Sequence, residues 1–333
     1  CMSSVPRFWE KVYAGVKERI EAASPLQRRL FNRALEVGRR HNIHYLSRGK
    51  QPPLRLRMEY KLLNRTILSL VRKQLGLENA NIFPTAGARV SPEVEEFVHA
   101  IGIYMIVSYD LTKNLATVSC DHTDKPYTLG SVGRVINGIQ IKIGENNEVL
   151  LKGPTITKGY YKREALNATI FDKDGFFRTG DAGYIKNGEL FLTERLKDLY
   201  KTSNGKYIAP QMIEALLLVD KYIDQVAVVA DERKFVSALV VPEFRVVEEY
   251  AHAHGIEFNS REDLCANRQI HQMMFDRIHT LVQQLAPYEQ IKRITLIPHH
   301  FSMENGELTN TLKLRRPVIL TNYKDLIDKM YEE

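Results

Sequence analysis

A carboxylate set between two glycines, in Phe177-Arg178-Thr179-Gly180-Asp181-Ala182-Gly183-Tyr184, is the first place where residue types and spacing suggest chemistry. Glycine permits positive φ and close ligand approach, and Asp181 can accept two hydroxyl hydrogen bonds of the kind a ribose diol offers. The same string equally suits a β-turn, since Gly-Asp is common turn chemistry. A second run, Glu194-Arg195-Leu196-Lys197-Asp198-Leu199-Tyr200-Lys201-Thr202-Ser203-Asn204-Gly205-Lys206, gathers cations around a Ser-Asn-Gly turn. Such a loop fits a hinge that lines a cleft or an exposed linker. In Leu308-Thr309-Asn310-Thr311-Leu312-Lys313-Leu314-Arg315-Arg316, Lys313 follows a small polar loop. A mobile ammonium there could stabilise charge building on a phosphate or carboxylate, or simply be solvated. Gly153-Pro154-Thr155-Ile156-Thr157-Lys158-Gly159-Tyr160-Tyr161 reads as a turn and an aromatic pair used in packing. The ten histidines show no metal-ligand spacing, and neither GxxxxGK[ST] nor GxGxxG occurs.

The elements that would position these residues fall into three stretches. Phe8-Trp9, Val12-Tyr13, Val16 and Ile20 recur at helical spacing. Pro25 suits the first turn of a second helix through Leu26, Leu30, Phe31, Ala34 and Leu35. After Pro52-Pro53 a third apolar pattern runs through Leu62, Leu63, Ile67, Leu70 and Val71. From about residue 80, short apolar runs alternate with Ser91-Pro92-Glu93-Val94-Glu95-Glu96-Phe97, read as a capping box with its serine at the N-cap and a glutamate three residues on. Strand, helix, strand is the grammar of an α/β domain with a parallel sheet. The reading predicts a helical and α/β region over 1–125, a β-rich subdomain over 126–195, and a small α+β domain over 196–333.

Length and composition agree with two ordinary globular domains: 333 residues, 44% hydrophobic and 26% charged, which excludes disorder and collagen-like repeats. Apolar stretches are far shorter than the ~20 residues of a membrane span, and no signal peptide precedes the first helical segment. Three cysteines without a CxxC pair argue against a disulfide framework and for a reducing, cytoplasmic setting. Charge is uneven. Residues 1–75 hold 17 Lys/Arg against 5 Asp/Glu, while the whole chain is only +7. That basic quarter suits a solvated helix surface, or peripheral contact with an anionic membrane, nucleic acid or a polyphosphate.

Taken in order, Val132-Gly133-Arg134, Lys152-Gly153-Pro154 with Gly159-Tyr160-Tyr161-Lys162, Phe177 to Tyr184, Arg195 to Pro210 and Leu308 to Lys313 resemble the adenylate-forming superfamily. With the opening Val5-Pro6-Arg7-Phe8-Trp9-Glu10-Lys11-Val12-Tyr13, they resemble the AMP-forming long-chain fatty acyl-CoA synthetases, in their C-terminal portion. The resemblance implies the end of a large α/β adenylation domain and a small mobile α+β domain. It implies fatty-acid activation by Mg²⁺-ATP to an acyl-adenylate, then transfer to CoA, with no nucleic-acid partner. In that scheme Gly87 and Ala88 flank the adenine, Tyr109 stacks on it, and Asp181 and Arg195 hold the ribose. Thr112 contacts phosphate, and Lys313 bridges carboxylate and α-phosphate. Lys197 is the hinge, and Gly205 and Lys206 form the loop that meets CoA.

This sequence departs from the family where Tyr-Gly-x-Thr-Glu is expected: it has Tyr109-Asp110-Leu111-Thr112-Lys113. A divalent cation wants oxygen ligands, so Lys113 cannot replace the metal-site glutamate. Ala86-Gly87-Ala88-Arg89 also departs from the usual Gly-Gly-Ala-Pro. The family's phosphate loop would lie upstream of Val5, so the resemblance implies that this chain alone is inactive. The rival reading is a degenerate AMP- or CoA-binding module without catalysis.

Overall fold

A computed structural model describes residues 2–79, 82–122, 126–310 and 312–332. The chain forms two compact units, Cys1–Lys197 and Asp198–Glu333. In the first unit, α1 (Pro6–Glu21) buries Trp9, Tyr13 and Val16, one side of the predicted 3.6-residue repeat. The Trp9 indole N–H reaches the hydroxyls of Ser4 and Thr85 at 2.8 and 2.9 Å, tying this helix to the sheet. α2 (Pro25–Gly38) starts at Ser24, whose hydroxyl and Gln27 make a reciprocal capping box. It continues as a π-helical stretch, Arg39–Tyr45. α3 (Leu54–Leu63) likewise runs through a π-helical stretch, Asn64–Leu68, into α4 (Ser69–Gln74).

The first sheet is β1 (Phe83–Thr85), β2 (Met105–Leu111), β3 (Ala116–Cys120) and β4 (Arg134–Val135), in that order. β1 and β2 are parallel, joined through α5 (Pro92–Ala100), as the strand-helix-strand pattern predicts. β3 and β4 are antiparallel to their neighbours. Gly38 is required where α2 meets the end of α5, because a Cβ there would sit 2.1 Å from the Ala100 carbonyl oxygen. The second sheet, β5 (Gln140–Ile143), β6 (Glu148–Lys152), β7 (Phe177–Lys186) and β8 (Glu189–Arg195), is an antiparallel meander. A short helix, α6 (Glu164–Asn167), lies in the β6–β7 connection. Tyr109 and Val118 from the first sheet pack against Val149, Leu151 and Leu190 from the second, so the two sheets share a core.

The second unit has its own core. A hairpin, β9 (Tyr200–Lys201) and β10 (Tyr207–Ile208), leads into α7 (Pro210–Leu217). A mixed three-stranded sheet follows, with β12 (Val236–Pro242) between β11 (Ile223–Val229) and β13 (Ile291–Leu296). Every residue of β12 is buried, as expected of a central strand covered on both faces. α8 (Phe244–Ala253), α9 (Arg261–Ala266), α10 (Arg268–Val282), α11 (Arg316–Asn322) and α12 (Lys324–Lys329) complete the unit.

Two sequence expectations are corrected. Ser91 precedes α5 but caps nothing with its side chain, because Val94 stands three residues on and cannot return the second bond of a capping box. The apolar repeats of the second and third helices are not wholly core. Phe31 and Ala34 are buried, whereas Leu26, Leu30, Leu62 and Leu70 are exposed. Periodicity marks a face of a helix but not the neighbour that covers it.

Candidate active site

Asp181 lies on β7 directly opposite Arg195 on β8, and the register slips by one residue just beyond, between Ala182 and Gly183. That bulge turns the strand while leaving the pair in place. Gly180 before it has φ +74°, a conformation open to glycine, and its N–H donates to Glu148 Oε1 at 3.0 Å. Thr179 fixes the same turn: its hydroxyl donates to the Val149 carbonyl at 2.7 Å and accepts from the Asp181 N–H at 3.1 Å. The Asp181 side chain is 7% exposed and that of Arg195 47%.

Arg195 Nε donates to Asp181 Oδ1 at 2.8 Å, and the Tyr109 hydroxyl donates to Oδ2 at 2.5 Å. Burial, then the Asp181 charge, push the Tyr109 phenol far above its ordinary value, so it stays a donor. A carboxylate has about four acceptor sites, so the oriented Asp181 keeps capacity for further donors. A vicinal diol fits this chemistry, with a half-exposed guanidinium beside it.

Other predicted residues of this unit surround no comparably built centre. Gly87 (φ +97°) and Ala88 are exposed in a bend, where a Cβ added at Gly87 would meet nothing among the described residues. Thr112 is exposed at the start of the short turn Thr112–Asn114. The Tyr109 ring, given to stacking by resemblance, is 6% exposed and part of the intersheet core, and it acts here through its hydroxyl. Lys113 is half-buried, and its carbonyl accepts from the Thr157 N–H at 2.7 Å. An ammonium gives a hard cation no oxygen, and Thr112 alone offers one hydroxyl, so this position does not fit Mg²⁺. Lys197 belongs to the turn Leu196–Asp198 at the end of the first unit; its side chain lies outside the described residues.

In the second unit, Lys313 is exposed on a tight loop closed by the Leu308–Leu314 bridge. The Thr309 N–H donates to the Lys313 carbonyl at 2.8 Å, and the Lys313 N–H to the Thr309 hydroxyl at 3.1 Å. Thr309 thus sets the backbone that carries the lysine. Gly205 (φ +74°) and Lys206 form the tip of the β9–β10 hairpin, where Thr202 exchanges backbone and hydroxyl bonds with Lys206. The Lys206 ammonium sits 5.5 Å over the Tyr288 ring, a cation–π contact.

Sequence reasoning missed Thr179, Glu148 and the Tyr109 hydroxyl. Thr179 lies within the Phe177–Tyr184 string, and a threonine two residues before a turn acid is a local hydrogen-bonding signal. Glu148 and Tyr109 reach the site only through strand pairing, which no short string displays.

The AMP-binding enzyme C-terminal domain family matches residues 197–333. Long chain acyl-CoA synthetase 6, peroxisomal, of Arabidopsis thaliana is 29% identical over 99% of this chain and 48% of its own length. Human long-chain-fatty-acid–CoA ligase 1 is 32% identical over 91% of this chain and 46% of its own. The chain is thus similar to long-chain acyl-CoA synthetases along nearly its whole length, and residues 197–333 match the AMP-binding C-terminal domain. Its fold agrees: the adenylation domain of a carboxylate reductase from Mycobacterium chelonae superposes over 99% of this chain and 46% of its own, with TM-score 0.70 at 20% identity. The adenylation domain of carboxylic acid reductase from Segniliparus rugosus, solved with AMP and a co-purified carboxylic acid, gives TM-score 0.69. The chain spans about half the length of the curated relatives it matches.

Proposed function

We propose that this chain carries the ribose grip and the thioester-transfer domain of an AMP-forming acyl-CoA ligase whose acid is a long-chain fatty acid. The observation that carries the reading is the buried Asp181 carboxylate, oriented by Tyr109 and Arg195 with acceptor sites to spare. The chain's relatives named as long-chain acyl-CoA synthetases support the acyl class.

In the proposed reaction the fatty carboxylate oxygen attacks the α-phosphate of ATP and pyrophosphate leaves. The CoA thiol then attacks the acyl carbon, forming the thioester as AMP departs. Asp181 and Arg195 hold the ribose, Gly87 and Ala88 border the base, and Thr112 touches phosphate. The Lys313 ammonium offsets charge on the transferring group, where a preset cation helps most. Lys197 is the hinge, and the Gly205–Lys206 hairpin meets CoA after the small domain turns.

Calorimetry with AMP tests the grip. Asp181→Ala should weaken AMP binding by about tenfold or more, as expected for two lost hydrogen bonds; unchanged affinity in a folded variant would overturn the assignment. Lys113 favours a second reading, a module that binds AMP without turnover. That reading expects AMP binding with no ATP–pyrophosphate exchange even by the longer protein of which the ligase reading makes this chain a part, and exchange gained there on Lys113→Glu would identify the lost metal ligand as the cause.

A further inference from the structure

Glu307 stands one residue before the Leu308–Arg316 string, at the base of the loop that carries Lys313. The two ends of that loop meet in the Leu308–Leu314 bridge, and the Arg315 N–H donates to the Glu307 carbonyl at 2.7 Å. Glu307 is only 2% exposed. Its Oε2 accepts from the Ser302 N–H at 3.1 Å, and its Oε1 from the Asn322 side-chain amide at 3.2 Å. Tyr323 is a third partner: burial, then its hydrogen bond to Glu307, push the phenol well above its ordinary value, so the hydroxyl stays a donor. Inside the loop, Leu312 holds φ +59°, a left-handed conformation that a leucine keeps only where its surroundings impose it.

We propose that Glu307 is a positioning residue for Lys313, an inference that rests on the reading of Lys313 as the cation of the acid-activation step. A buried carboxylate is costly to desolvate, and an apolar side chain would fill the same space without that cost. What the carboxylate adds is direction. With about four acceptor sites it collects donors from the Ser302 turn and from the end of α11 at once. The stem of the loop is thereby fixed to two elements of the second unit, and the Lys313 side chain leaves the backbone from a set place. An ammonium on a long flexible stem needs that presetting to offset charge in a transition state. An error of about 1 Å in placement can cost about a hundredfold in rate.

Two measurements test this. In the longer protein of the ligase reading, Glu307→Ala should lower the turnover of ATP–pyrophosphate exchange about a hundredfold, with KM for ATP little changed. Glu307→Gln keeps an acceptor for the Ser302 N–H while Asn322 can turn its amide, so it should restore most of that turnover. On a Lys313→Ala background, adding Glu307→Ala should remove none of the residual activity, because a residue that acts through the lysine has nothing left to position. In the 333-residue chain, Glu307→Ala should speed amide hydrogen exchange at Thr309, Leu312 and Lys313 about tenfold, leaving the β12 amides as slow as in the parent. A further loss on the Lys313→Ala background, or β12 amides that speed up in step with the loop, would make Glu307 a residue of the fold and overturn the proposal. If Lys313→Ala abolishes pyrophosphate exchange and Glu307→Ala does not, only the assignment of Glu307 falls. If Lys313→Ala itself leaves pyrophosphate exchange untouched, the reading of Lys313 falls and takes this proposal with it.

Discussion

Asp181 and Glu214 are both buried carboxylates facing an arginine, one in each unit, and they differ in what else reaches them. Glu214 receives three donors and both its oxygens face one arginine: Arg316 Nη1 and Nη2 lie 2.7 and 2.6 Å from its two oxygens, and the Val228 N–H donates to Oε1 at 2.9 Å. Both partners of that pair are largely hidden, at 13% and 8% exposure. Burial pulls the Arg316 guanidinium down, but the Glu214 charge and hydrogen bonds outweigh it and hold the group firmly protonated. Asp181 instead meets a half-exposed arginine through one nitrogen and a tyrosine through one hydroxyl. The Glu214 pair is shielded and bidentate, whereas the Asp181 pair is single-pronged and open to solvent on its arginine side, as the proposed ligand grip requires.

The sharpest way to break this contrast is Arg316→Ala. It leaves Glu214 buried without its cation and should destabilise the second unit by about 3–5 kcal/mol, read by chemical denaturation. A loss no larger than that of a surface substitution would dissolve the distinction.

Buried acids of the first unit extend the comparison to carboxylates that no cation faces among the described residues. Glu95 accepts from the Gly130 N–H at 2.9 Å, and burial pushes its pKa up to about 8; burial and then the Glu189 charge push Asp121 up to about 7. Because both folded values lie above the unfolded ones, their stabilising contribution is complete at low pH and is lost as pH rises through 7 to 8. His99 works in the opposite sense. Burial lowers it to about 4, so its contribution is present above 6.5 and lost as pH falls through 4. Denaturation midpoints of the first unit should therefore fall between pH 6.5 and 8.5, and Glu95→Gln should flatten that slope. A midpoint that rises with pH over this interval would contradict the burial argument.

Asp181→Ala should cost less stability than the Arg316 change, about 1–3 kcal/mol, since water can reach Arg195 when its partner is gone. Its larger signature is the loss of AMP binding. The smallest structural effect belongs to Lys313→Ala. The side chain is exposed, so stability should stay within about 0.5 kcal/mol. ATP–pyrophosphate exchange by the protein that carries the activity should nevertheless collapse. Equal loss of stability and exchange would make Lys313 a scaffold residue.

Local patterns were legible in the sequence where a residue's neighbours along the chain settle its environment. Trp9, Tyr13 and Val16 follow the helical repeat into the core, and the parallel β1–β2 pair follows from its intervening helix. Asp181 and Arg195 could be singled out from their strings, but their facing register depends on a bulge between Ala182 and Gly183, and no composition announces a one-residue slip. Tyr109 carries its hydroxyl to Asp181 from another sheet, 72 residues away. Leu62 on α3 and Leu70 on α4 mislead for the converse reason: the repeat reads as core, yet both side chains are exposed.

The second unit, Asp198–Glu333, encloses a core of its own around the fully buried β12. A gene truncated to begin at codon 198 should accordingly express as a free-standing protein small enough for isotope labelling and solution NMR. The Thr309–Lys313 loop and the Gly205 hairpin could then be watched by titration with CoA, nucleus by nucleus, without the rest of the polypeptide in the tube.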